Sequence, residues 1–309
     1  INNSSLTIYS IKARINMNKS NPFQGFGVAL ATPFNTDGSI DFVALRSLVD
    51  NIIVGGVDFI CVLGTTAETP TLTEEEKLEI RRVVVEVNQE RVPLLLGAGN
   101  NSTQTVCRQL REDNFEGFSG LLMVCPFYNK PTQEGLYQHF KKISEESPLP
   151  IVLYNIPGRT GVNLQAATTL RLANDCPNIV AIKEASGIIT QIEEIVEYAP
   201  DGFDVFSGDD AITFELLAIG AKGVISVIGN AYPEEFGAMV HAAQAGDYTS
   251  ALNQHRQFRR LYKLMSVDGN PSGIKALLYI QGKADNVVRL PLVPVRVETL
   301  EAIRHYAED

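Results

Sequence analysis

Asn178-Ile179-Val180-Ala181-Ile182-Lys183-Glu184-Ala185-Ser186-Gly187 lies near the middle of the chain. Four apolar residues in a row, bounded by turn-forming residues, read as a strand buried on both faces, the kind found in parallel sheets. The strand closes on an amine. Taken alone, a lysine there points into water. The preceding apolar run changes that reading. Pro150-Ile151-Val152-Leu153 ends in Tyr154-Asn155-Ile156-Pro157-Gly158-Arg159-Thr160-Gly161, so a phenol and a guanidinium leave the adjacent strand at the same end.

Outward from this pair, short apolar runs alternate with segments of helical period, the pattern of repeated β-α units. Eight runs read as strands: 27–31, 59–63, 93–97, 120–124, 151–154, 179–183, 203–207 and 223–227. Eight alternations favour a closed (β/α)8 TIM barrel over an open doubly wound sheet, and a chain of 309 residues accommodates the roughly 250 that such a barrel needs. The dinucleotide-like string Gly97-Ala98-Gly99-Asn100-Asn101-Ser102 lacks a third glycine and follows the third strand, which argues against a nucleotide site. Thr73-Glu74-Glu75-Glu76 spells a capping box and starts a helix. Asn270-Pro271 reads as a cap followed by proline in the first turn, with Gly282 as the stop after Ile274, Leu277, Leu278 and Ile280. The expected organisation is a leader over 1–22, a catalytic barrel over 23–246 and a helical C-terminal region over 247–309, broken once by Pro291 and Pro294.

Composition limits the function classes. With 45% hydrophobic and 20% charged residues and no run of 18 apolar residues, the chain reads as a globular protein and not as a membrane protein. A net charge of −10 without clustered lysine and arginine argues against a nucleic-acid surface. Cys61, Cys107, Cys125 and Cys176 lie far apart without CxxC spacing, which indicates neither a zinc site nor a disulfide framework and fits a reducing cytoplasm. Residues 1–22 carry no acidic residue and three basic ones, and are expected to be disordered, non-native or a transit segment.

The chemistry points to the amine. A lysine is roughly 99.9% protonated at pH 7, but an amine in an apolar, desolvated setting releases its proton more readily and attacks carbonyl carbon. Lys183 is therefore the candidate nucleophile and a Schiff base the expected product. In a barrel, reacting groups come from the C-terminal ends of strands, where Lys183, Tyr154 and the loop Gly64-Thr65-Thr66-Ala67-Glu68-Thr69 all fall. That loop offers amides and hydroxyls suited to a small carboxylate. All four histidines, His139, His241, His255 and His305, fall in predicted helices, so the converging histidines of a zinc-dependent aldolase are not supplied. No metal and no cofactor are expected. An iminium on Lys183 is the remaining way to stabilise a carbanion.

Three motifs carry a specific resemblance. Gly64-Thr65-Thr66-x-Glu68, Tyr154-Asn155-x-Pro157-x-Arg159-Thr160-Gly161 and Ile182-Lys183-Glu184-Ala185-Ser186-Gly187 are similar to those of the pyruvate-dependent class I aldolase and N-acetylneuraminate lyase family. Tyr128-Asn129-Lys130-Pro131-Thr132-Gln133-Glu134-Gly135, Ser207-Gly208-Asp209-Asp210 and Gly223-Val224-Ile225-Ser226-Val227 support it, and the match runs from residue 25 to about 295. The branch resembled most condenses pyruvate with L-aspartate 4-semialdehyde to 4-hydroxy-tetrahydrodipicolinate, in the lysine and diaminopimelate pathway. The resemblance implies that Lys183 forms the imine with pyruvate, that Tyr154 shuttles protons, and that Thr66 links it to Tyr128 entering from a neighbouring subunit. It further implies that Thr65 and Thr66 hold the pyruvate carboxylate, that Arg159 takes the carboxylate of the second substrate, that Gly208 and Ile225 complete the substrate-binding set, and that the protein is a homotetramer built from dimers.

Two rivals stand beside this reading: a lyase of the same family acting on N-acetylated or deoxy sugar acids, and a barrel that has lost turnover and binds metabolites. The first branch usually lacks an arginine corresponding to Arg159, and a decayed site usually loses at least one member of its set. One departure concerns Ala67, where the family commonly has glycine. If the backbone there requires positive φ, the turn is altered at a cost of about 1 kcal/mol.

Overall fold

The computed structural model describes residues 21–308, so most of the 1–22 stretch lies outside the described residues. Eight strands pair in parallel and in sequence order into a closed barrel: β1 (Gly25–Ala29), β2 (Phe59–Val62), β3 (Leu94–Ala98), β4 (Gly120–Val124), β5 (Ile151–Asn155), β6 (Ile179–Glu184), β7 (Asp204–Ser207) and β8 (Gly223–Ser226). All eight expected strands are present. The first begins and ends two residues earlier than the apolar pattern suggests, because Gly25 already pairs with Gly223, and the other ends differ by one residue at most. No helix among the described residues is long and apolar enough to cross a membrane.

Alternation along the strands divides the apolar residues into two layers. Outward-facing residues such as Val28, Ile60, Leu96, Leu153 and Ile182 pack against the surrounding helices. Inward-facing residues, among them Ala29, Cys61, Leu95, Leu122, Val152, Phe206 and Ile225, fill the barrel. Phe23 closes this interior from below, its ring 5.3 Å from that of Phe59, which in turn lies 5.8 Å from Phe206. Asn21 is buried beside it and donates to Asp204 Oδ2 at 2.9 Å. Full burial of each such large side chain contributes about 1.5–3 kcal/mol.

The β5–β6 pair departs from this regularity. Ile151 opposes Ile179, but Val152 opposes Ala181, so Val180 is an extra residue on β6. This is a β-bulge, and its effect can be read from the layers. Val180 and Ala181 both face the interior, Ile179 and Ile182 both face the helices, and Tyr154 comes to lie directly opposite Lys183. Strict alternation from Val180 would turn Lys183 outward.

The capping box at Thr73 forms as expected. Thr73 Oγ1 accepts from the Glu76 amide at 3.2 Å, and Glu76 Oε2 accepts from the Thr73 amide at 2.9 Å, at the head of the helix Glu74–Asn88. After β8, helices occupy Pro233–Gln244, Tyr248–Gln257, Arg259–Val267, Ser272–Ile280 and Val297–Glu308. Asn270 does not cap the helix that follows it. That helix starts at Ser272 after Pro271 without a side-chain cap, and the Asn270 side chain is engaged elsewhere.

Close packing at the barrel mouth makes Gly97 a sensitive position. A Cβ there would lie 2.1 Å from the Leu63 carbonyl oxygen, and that oxygen is held by the Thr69 hydroxyl at 2.9 Å. Gly97→Ala is expected to lower stability by about 1–3 kcal/mol in urea denaturation, and an unchanged midpoint would show that the mouth deforms freely.

Candidate active site

Lys183 sits one residue from the end of β6, buried, with Nζ 4.6 Å from the centroid of the Tyr154 ring. The bulge delivers the lysine to this face, and a bare backbone beyond β7 lets it extend. A Cβ at Gly208 would stand 3.1 Å from Cε of Lys183 and 2.8 Å from Cβ of Ala185. Gly208 is itself fixed, its amide donating to the Glu184 carbonyl at 2.7 Å. Cys61 shares the interior: burial pushes its thiol up to about 11, with the Lys183 charge opposing that rise. Ile225 lies in the same inner layer, fully buried.

The outward side of the same strand end is braced by polar groups. Glu184 is buried and accepts from Asn155 Nδ2 at 2.7 Å, from the Ser186 hydroxyl at 2.6 Å and from Gln191 Nε2 at 3.2 Å. Desolvation raises its pKa, and these hydrogen bonds work against the rise. Asp210 plays a similar part beyond β7. Its Oδ2 accepts from the Val227 and Ile228 amides at 3.0 and 2.8 Å, tying that loop to the end of β8, and burial pushes its carboxyl up to about 6.

The threonine loop folds as a 3-10 turn over Thr65–Ala67. A turn that starts at Thr65 leaves its first amides without an acceptor inside the turn. Thr66 is buried and its Oγ1 accepts from Asn270 Nδ2 at 3.1 Å. The question raised by Ala67 resolves plainly. The positive φ values fall on Leu63 and Glu68, both at 56°, and Ala67 is not among such residues, so alanine costs the turn nothing there.

Glu68 carries its left-handed backbone because its side chain is anchored. Its fully buried carboxylate pairs with Lys275 Nζ and accepts from the Arg289 amide at 2.9 Å. Lys275 also donates to the Val287 carbonyl at 2.9 Å and lies 3.8 Å from the centroid of Phe34. Burial pulls its ammonium down to about 8 against the attraction of Glu68. Arg289 adds a bidentate pair to Glu76 and bonds to the carbonyls of Gly38 and Thr71. The C-terminal region thus clamps the loops after β1 and β2, through Lys275 on a helix and Arg289 on the segment that follows it. Sequence reasoning missed Lys275 and Arg289. The signal was present as a lysine within the apolar stripe Ile274, Leu277, Leu278, a position that demands a buried partner.

Among the expected site residues, Lys183, Tyr154, Thr66, Gly208 and Ile225 are buried or enclosed at the C-terminal mouth, with Thr65 half-buried beside them. Arg159 lies on the exposed turn Pro157–Thr160, its Nη2 donating to the Asn270 carbonyl at 2.8 Å. Tyr128 is not drawn in. It is 88% exposed, with φ at 73° and its amide donating to the Thr160 carbonyl at 3.3 Å.

A closed (β/α)8 barrel that buries an amine against a phenol at its C-terminal mouth is the architecture of the lysine-dependent barrel aldolases. The chain belongs to the Dihydrodipicolinate synthetase family, whose profile matches residues 22–309. It is 55% identical over 281 residues to the 4-hydroxy-tetrahydrodipicolinate synthase of Phocaeicola vulgatus, covering 91% of this chain and 95% of that protein. It is 56% identical over the same length and coverage to the enzyme of that name from Parabacteroides distasonis. The crystal structure of dihydrodipicolinate synthase from Thermotoga maritima superposes with a TM-score of 0.90 at 41% identity, over 93% of this chain and 98% of that one. That from Aquifex aeolicus gives 0.89 at 39%, over 93% and 97%.

The Glu68–Lys275 pair gives the clamp a direct test. Lys275→Met leaves a carboxylate buried without its cation and is expected to cost about 3–5 kcal/mol in urea denaturation, whereas adding Glu68→Gln recovers much of that loss. Additive losses in the double variant would contradict the pairing.

Proposed function

We propose that this chain condenses pyruvate with L-aspartate 4-semialdehyde to give 4-hydroxy-tetrahydrodipicolinate, in the lysine and diaminopimelate branch of amino-acid biosynthesis. The observation that carries the reading is Lys183 buried at the end of β6 with Nζ 4.6 Å from the Tyr154 ring. That relatives 53–56% identical to this chain are 4-hydroxy-tetrahydrodipicolinate synthases supports it.

In this reading the Lys183 amine adds to the keto carbon of pyruvate and water leaves, forming the imine. Loss of a methyl proton gives the enamine, whose carbon attacks the aldehyde of the semialdehyde. The amine of the second substrate then displaces Lys183 from the same carbon and closes the ring. Tyr154 moves the protons, and sharing the developing charge through Thr66 with a second phenol eases that transfer. The amides and hydroxyls of Thr65 and Thr66 hold the pyruvate carboxylate. Arg159, planar and always charged, takes the carboxylate of the semialdehyde. Gly208 and Ile225 shape the pocket around the adduct.

Tyr128, exposed on a loop between Pro126 and Pro131, is the second phenol and completes the relay in a neighbouring copy. That role requires at least a dimer, and we read the assembly as a homotetramer built from such dimers. Four buried cysteines without a disulfide accord with a reducing compartment, and we place the protein in the cytoplasm.

Borohydride reduction with pyruvate is expected to add a pyruvyl group to the peptide that contains Lys183, and Lys183→Ala to abolish the addition. Arg159→Ala should keep the adduct while raising KM for the semialdehyde about 10- to 100-fold. Normal condensation by Arg159→Ala, or pyruvate release from sugar acids in place of condensation, would refute the assignment.

A further inference from the structure

We propose that Asn270 is a positioning residue that sets the direction of the Thr66 hydroxyl and so keeps the proton relay open both ways, an inference resting on the relay role given to Thr66 above. A threonine hydroxyl has one proton to give and two lone pairs. Asn270 Nδ2 donates to Thr66 Oγ1 at 3.1 Å and so occupies one lone pair. An amide NH2 accepts nothing, so the hydroxyl cannot lose its proton in that direction. One O–H and one lone pair remain, which is what a hydroxyl between two phenols needs to take a proton from one and pass a proton to the other.

Asn270 is well placed for this work. Its backbone carbonyl accepts from Arg159 Nη2 at 2.8 Å, so one residue touches both the relay threonine and the arginine of the second substrate. The helix that follows, Ser272–Ile280, is buried over most of its length and is bonded through Lys275 to Glu68, two residues beyond Thr66. The other amide atom, Oδ1, is buried without a hydrogen-bond partner among the described residues. An unpaired buried acceptor is a cost.

The test uses the full-length protein with Asn270→Ala, Asn270→Asp and Asn270→Leu, each at saturating pyruvate. The readouts are deuterium exchange into the pyruvate methyl group by proton NMR and the fraction of protein trapped by borohydride. All three variants should still trap pyruvate. The Ala and Leu variants should exchange about tenfold more slowly than wild type, within the range that positioned proton transfer contributes. The Asp variant keeps the shape of asparagine but offers only acceptors, draws the Thr66 proton toward itself, and should be slower still. A residue that only fills space would rank the other way, with Asp mild and Leu rescuing. Exchange by Asp as fast as by Ala overturns the proposal. Should Asp fail to fold, Leu at the wild-type rate overturns it equally. Wild-type protein that neither traps nor exchanges would instead bring down the aldolase reading on which the proposal rests.

Discussion

One surplus residue on a single strand decides which way the amine faces. Between Ile151 and Val152, β6 supplies two residues against one, and the alternation of the strand is reset there. Ile182 keeps its place against the helices, and Lys183 turns into the barrel beside Tyr154. Without the bulge the lysine and Glu184 would exchange faces, placing a carboxylate inside and an ammonium among the helices. The rest of the site is built around this orientation. Gly208 leaves room for the lysine arm, and the Glu184 network holds the strand end on its outer side.

The barrel alone does not make the site. Its threonine loop carries two left-handed residues, Leu63 and Glu68, and such backbone persists only where surrounding contacts determine it. Leu63 is held locally by the Thr69 hydroxyl, whereas the contacts on Glu68 come from more than 200 positions away, through Lys275 and Arg289. A buried ion pair is a weak source of net stability, yet breaking one is expensive, and so it fixes geometry better than it adds free energy. The C-terminal region therefore reaches the barrel mouth through Asn270, whose side-chain amide donates to Thr66 and whose carbonyl accepts from Arg159.

Much of this was legible in the sequence. Continuous apolar runs announce buried parallel strands, and the Thr73 capping box is a local signal with a local cause, so both read correctly. The bulge was not legible, because Val180 and Ala181 are both apolar and sit equally well on either face. The Asn270-Pro271 pair misled, since its asparagine resembles a helix cap while its amide serves a residue far away in sequence. Ala67 raised a question of backbone strain that the chain answers by placing the strain one residue later, on Glu68. Lys275 lay in plain view within an apolar stripe, but the identity of its partner is a tertiary fact.

The central claim is that the bulge presents Lys183 to a keto acid as a covalent partner, with the threonine turn receiving the carboxylate. A crystal structure of the protein soaked with pyruvate tests this most directly. The expected result is continuous density from Lys183 Nζ to the second carbon of the ligand, with the ligand carboxylate against the amides of Thr65 and Thr66. Pyruvate bound without a bond to Lys183, or the lysine found on the outer face of β6, would contradict it.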